Sequence, residues 1–264
     1  MPLSEQTVRL ERDGGIARVT LARPHAGNAV NLALAQELSA IATTCEEDDS
    51  IRCVVLTGAG RLFCAGGDLA AFASAGTEID RLLEELAGTL HQAVERFARM
   101  AKPLLVLVNG PAAGAGFSLA MAGDVVLCSR SAHFTPAYGT LGLTPDGGMS
   151  WWLPRLVGLR KAQEIILTNR RIRAEEAETI GLVTRVVDDD RLHDEGAEVA
   201  AALARAPTRA LGFARALLRQ SYGADLPDQL ARETRTITAA GGTTDCREGV
   251  AAYFERRPPS FTGH

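Results

Sequence analysis

The 264 residues, 46% of them hydrophobic and 23% charged, are enough for one large buried core and exclude a disordered chain. A net charge of −4 leaves no electrostatic footprint for nucleic acid. The five cysteines, Cys45, Cys53, Cys64, Cys128 and Cys246, form neither a disulfide framework nor a CxxC metal pattern, which suits a reducing cytosol.

The start, MPLSEQTVRLERDGG, carries charge where a signal peptide needs an apolar run. Thr7–Glu11 and Ile16–Leu21 flank Asp13-Gly14-Gly15 and read as a hairpin. Asn31 is placed to cap a helix in which Leu34, Leu38 and Ile41 recur at helical spacing. Arg52–Thr57 reads as a buried strand ended by Gly58-Ala59-Gly60. A helix is expected from about Glu78 to Met100, stopped by Lys102-Pro103 ahead of a second buried strand, Leu104–Val108. A short helix, Gly116–Ala122, leads into the strand Val125–Cys128. The apolar stretch from Pro103 to Cys128 is broken by Asn109, Asp124 and several glycines and prolines, so it predicts strand, turn and helix rather than a membrane span. Alternating strands and helices predict an α/β architecture. After Asp146 the pattern turns helical: Gly148–Val157, Leu159–Thr168, Ala174–Ile180, Arg191–Ala206, Thr208–Tyr222, Asp228–Ala240 and Asp245–Phe254.

Two small-residue turns follow buried strands: Phe63-Cys64-Ala65-Gly66-Gly67-Asp68-Leu69 and Asn109-Gly110-Pro111-Ala112-Ala113-Gly114-Ala115-Gly116. Such turns let backbone approach a ligand closely, and a pair of them can polarise one carbonyl oxygen. As structure alone they are tight strand-to-helix turns. Neither is a nucleotide loop, for there is no GKS/T and no GxGxxG with a following acid. Asp146, in Leu143-Thr144-Pro145-Asp146-Gly147-Gly148, has two readings. It is a helix cap, or a carboxylate walled by Trp151, Trp152 and Leu141 and desolvated enough to act as a base. Tyr138, Phe117 and the two tryptophans hint at an apolar pocket. His91, among Leu83, Leu86 and Leu90, reads as a packed or surface histidine; the histidines form no metal cluster, and Ser118 lacks a GxSxG frame.

Taken in order, RPHAGNAVN, RCVVLTGAGRLFCAGGDL, KPLLVLVNGPAAGAGFSLAMAGD, LGLTPDGGMSWWLPRLVG, AEEAETIGLVTRVV and REGVAAYFERRPPSF resemble the enoyl-CoA hydratase/isomerase (crotonase) superfamily over nearly the whole chain. The resemblance implies a spiral of ββα repeats over residues 1–200 and a helical oligomerisation region over 201–264, in trimers or hexamers. It implies an acyl-CoA substrate, no separate cofactor, no metal and a cytoplasmic setting. Backbone N–H groups of Gly67 and Ala115 would form an oxyanion hole. Coenzyme A would be held by Ala26, Asn28 and Ala29 and by Ala65, Gly66, Asp68 and Leu69, with Arg257 and Phe261 contributing, including to a neighbouring subunit's site.

The two glutamates of the family's hydratases fall where this chain has Ser118 and Tyr138, so hydration is expected to be weak or absent. Asp146 resembles the aspartate of the 3-enoyl-CoA and ring-1,2-epoxyphenylacetyl-CoA isomerase branch, which implies a single acid/base. The 4-chlorobenzoyl-CoA dehalogenases offer an alternative, with Asp146 as nucleophile and His91 as base; Gly67, where they carry an aromatic residue, argues against it. A non-catalytic or RNA-binding role is disfavoured because the one basic cluster, Arg170-Arg171-Ile172-Arg173, is followed at once by Glu175, Glu176 and Glu178.

Overall fold

A computed structural model describes residues 6–264; the first five residues of the charged start lie outside it. The chain opens with β1 (Val8–Asp13) and β2 (Ile16–Leu21), antiparallel and joined at Gly14-Gly15, both at positive φ. Such a two-residue turn matches strand twist, so the hairpin is local in origin. Asn31 caps α1 (Leu32–Glu47) by accepting from the Leu34 amide at 3.0 Å. There follow β3 (Cys53–Gly58), α2 (Leu69–Ala75), α3 (Ile79–Arg99), β4 (Leu104–Val108), β5 (Ala112–Ala113), α4 (Ala115–Met121), β6 (Val125–Ser129) and β7 (His133–Thr135). The rest is α5 (Met149–Val157), α6 (Leu159–Leu167), β8 (Ile172–Arg173), α7 (Ala174–Thr179), β9 (Arg185–Val187), α8 (Leu192–Arg205), α9 (Thr208–Gln220), α10 (Leu226–Gly241) and α11 (Thr244–Glu255).

The main sheet has the order β1-β2-β3-β4-β6-β9, parallel from β2 onward, and a small sheet runs β5-β7-β8. Strands β3 and β4 are continuous apolar runs because both faces are covered. Val54, Leu56, Leu104 and Val106 face the large core with α1, α3 and α4; Cys53, Val55, Leu105 and Leu107 face α8 through Ala200 and Ala204. Gly196 brings α8 close to the sheet, since a Cβ there would lie 2.6 Å from Leu107.

Two cations tie elements end to end. Lys102 is buried and its ammonium donates to the carbonyls of Cys45, Glu46 and Asp48, closing the C-terminus of α1. Arg52 donates to Ala206 and Phe261 carbonyls and to the Thr208 hydroxyl, tying the C-terminal segment to β3. The helical stretch expected after Asp146 needs correction, because β8 and β9 interrupt it; β9 closes the main sheet beside β6. The boundary expected near residue 200 falls inside α8, whose Leu192, Ala200 and Ala204 belong to the sheet's second core. Among the described residues no helix is long and apolar enough to cross a membrane.

Candidate active site

The two small-residue turns lie against each other at the carboxyl ends of β3 and β4. Cys64 bridges to Ala112, and the Ala113 amide donates to the Cys64 carbonyl at 2.9 Å. A Cβ on Gly116 would sit 2.3 Å from the Cys64 carbonyl oxygen, and one on Gly66, at φ +98°, would sit 2.9 Å from the Ala113 carbonyl. Only glycine permits both approaches. Beyond this contact the N–H groups of Gly67 and Ala115 have no protein acceptor among the described residues, and both residues line one cavity. Two free donors beside a cavity are the raw material of an oxyanion hole.

The first turn is held from behind. Asn28 is fully buried at φ 55°, and its amide donates to the carbonyls of Ala59, Leu62 and Phe63 while its Oδ1 accepts from the Arg23 amide. The Asn28 side chain thus shapes the loop, and the small, partly exposed Ala26 lies at its rim. Ala29 sits beside it, its carbonyl accepting from Arg23 at 2.6 Å. Asp68 is likewise spent, capping α2 through the Ala70 and Ala71 amides and pairing with Arg23 at 2.9 Å. Asn28→Ala leaves those carbonyls without their donor and puts alanine in a left-handed conformation. The expected cost is about 2–4 kcal/mol, read as a lower urea midpoint at unchanged slope.

The cavity holds about 320 Å³, and its walls are mostly apolar. Leu83, Leu86, Ala87 and Leu90 come from one face of α3, Phe72 from α2, and Leu141 and Leu143 from the segment before Asp146. Ala65, Gly66 and Leu69 from the first loop also border it. Phe72 fills the space over Gly67: a Cβ at that glycine would lie 2.5 Å from its Cζ. Composition around Phe72 did not single it out; the α3 wall was open to discovery as an i, i+3, i+7 leucine stripe. Trp151, Trp152 and Phe117 do not wall the site. The tryptophans face a groove with Arg155 and Tyr222, where Arg155 lies 4.0 Å over the Trp151 ring, and Phe117 is wholly inside the core.

Among the described residues Asp146 is the sole carboxylate lining the cavity, its side chain 31% exposed. It is not a helix cap: Gly148 occupies that position without a side-chain bond. Instead, Gly147 and Gly148, at φ 59° and 86°, turn the chain so that Asp146 points to Tyr138, whose hydroxyl donates to Oδ1 at 2.6 Å. Ser118 is buried beneath and donates to the Asp146 carbonyl at 2.8 Å. A Cβ on Gly147 would come within 2.8 Å of Ser118 Cβ, so the turn occupies the space a longer side chain at 118 would need. Burial, then the Asp146 charge, pushes the Tyr138 phenol well above its usual range and keeps it a donor. His91 Nε2 accepts from the Gly147 amide at 3.0 Å and lies 3.9 Å from Asp146 Oδ2. Nε2 is thus occupied as the acceptor for Gly147.

Arg257 and Phe261 do not reach this cavity in their own chain. The Arg257 guanidinium is held by Glu248 and Glu255, and the Phe261 ring packs at Gly249 beside α11. Among the described residues no three His, Cys, Asp or Glu side chains gather where they could hold a metal ion.

This α/β core has the crotonase fold. Residues 11–264 match the family model described as enoyl-CoA hydratase/isomerase, and the chain belongs to that family. It is 41% identical over 261 residues to a probable enoyl-CoA hydratase of Rhodobacter capsulatus, covering 99% of this chain and 100% of that one. It is 38% identical over 257 residues to the 1,2-epoxyphenylacetyl-CoA isomerase of Escherichia coli K12, covering 94% and 95%. The crystal structure of an enoyl-CoA hydratase from Bacillus anthracis superposes with a TM-score of 0.93 at 32% identity, covering 98% of this chain and 100% of that one.

Proposed function

We propose that the protein is an acyl-CoA isomerase that shifts a double bond from a 3-enoyl to a 2-enoyl thioester, or opens a ring epoxide of an aromatic acyl-CoA, through one enolate. The observation that carries this reading is the single carboxylate in the cavity. Asp146 takes the proton from C2, and the C–H electrons form the enolate. Its oxygen rests between the Gly67 and Ala115 amides, and the C3–C4 double bond becomes C2–C3 as Asp146 returns the proton at C4. Each step needs one acid/base and two donors, with no cofactor beyond the substrate's own coenzyme A. Hydration asks for a second group to hold and split water, and here Ser118 and Tyr138 already spend their protons on Asp146.

The apolar walls, with no Lys, Arg or His among the described residues of the lining, favour an uncharged acyl group, and about 320 Å³ favours a short chain or single ring. The dehalogenase reading is less supported. Phe72 supplies an aromatic wall at Gly67, yet His91 Nε2 is engaged by Gly147 and poorly placed to serve as a base. Homo-oligomers, trimers or hexamers, are proposed through the C-terminal helices, where Leu226, Leu230, Ile237, Val250, Tyr253 and Phe254 are exposed. The test compares trans-3-hexenoyl-CoA with its analogue ending in a carboxylate, following the conjugated product. We expect the apolar substrate to be favoured at least a hundredfold in kcat/KM. Equal rates, or preference for the charged tail, would remove the substrate assignment.

A further inference from the structure

The hydrogen bonds around Asp146 make its two carboxylate oxygens unequal. Tyr138 has one hydroxyl proton, and it lies along the 2.6 Å contact to Oδ1. Ser118 has one as well, and its shortest contact is the 2.8 Å one to the Asp146 carbonyl. The 3.3 Å approach between the two hydroxyls is thus left without a proton of its own. On the other side, Oδ2 faces His91 Nε2 at 3.9 Å, but that nitrogen is already accepting from Gly147. Two acceptors face one another, and Oδ2 has no donor among the described residues.

We propose that Oδ2 is the oxygen that removes and returns the substrate proton, and that Tyr138 is a positioning residue holding Oδ1. The proposal rests on the isomerase reading and divides the labour within it. A carboxylate anchored through one oxygen cannot rotate its second away from C2 and C4, so one atom can serve both carbons from one face. The titratable groups facing Asp146 are Tyr138 from the preceding segment and His91 from α3; Ser118 from α4 meets only its carbonyl.

Tyr138→Phe keeps the ring and deletes the hydroxyl. The expected result is a fall in kcat of at least tenfold with KM changed less than threefold. Tyr138→Phe with wild-type kcat, or with kcat and KM damaged alike, overturns the proposal, because a merely structural tyrosine would not produce that split. Asp146→Asn separates the two levels. If it is inactive and Tyr138→Phe keeps wild-type kcat, only the division between the oxygens fails. If Asp146→Asn keeps wild-type turnover, the isomerase reading fails with it.

Discussion

Asp146→Asn is expected to reduce 3-enoyl to 2-enoyl conversion by a hundred- to ten-thousand-fold, the range a positioned base contributes, while acyl-CoA affinity stays within about threefold of wild type. Asparagine retains an oxygen for the Tyr138 hydroxyl but has no basic lone pair for the C2 proton. Stability is expected to change by under about 0.5 kcal/mol, because α5 begins at Gly148 with no side-chain cap to lose. Single-turnover rates and equilibrium titration with the product thioester separate the two effects. Loss of affinity along with turnover would mean that Asp146 organises the site rather than moving the proton.

Gly67→Val attacks the other half of the chemistry. Its Cβ alone would lie 2.5 Å from Phe72 Cζ, so either the ring moves into the cavity or the loop carrying the Gly67 amide backs away. Both outcomes misplace an oxyanion donor, and losing one such donor costs about 3–4 kcal/mol, or 10²–10³ in turnover. Thioester binding is expected to weaken at the same time, since Gly67 and Phe72 border the same cavity. Adding Phe72→Ala removes the clash and is expected to restore binding more than turnover. A Gly67→Val enzyme with normal kcat and KM would show that this amide is not a donor in the reaction.

Much of this was legible in the residues, for physical reasons that differ from place to place. The Gly14-Gly15 hairpin and the Asn31 cap are decided within a few residues, so local chemistry announces them. The strands β3 and β4 announce themselves as unbroken apolar runs because both faces are buried. The pieces β5, β7 and β8 are two or three residues long and exist only because distant segments pair, which leaves no periodicity to read. Likewise α2, LAAFASA, is mostly alanine and takes its start from the Asp68 cap.

The site shows the same division. The glycines of the two turns and the position of Asp146 were visible, since backbone approach and turn chemistry demand particular residue types. The contacts to Asp146 were not: only the dehalogenase resemblance set His91 beside it, and the Tyr138 bond to Oδ1 exists only through the fold. The tryptophans misled for a related reason: α5 turns them towards α9, away from the cavity, and nothing in their spacing says which face of the helix meets substrate.

The central claim, one acid/base acting without a second to split water, is tested most directly by mass-resolved chromatography of trans-3-hexenoyl-CoA and crotonyl-CoA, each incubated with the purified protein. The expected result is a 2-enoyl product of unchanged mass from the first and no change in the second. Gain of one water by crotonyl-CoA at a comparable rate would contradict it, and would place a second acid/base in the site.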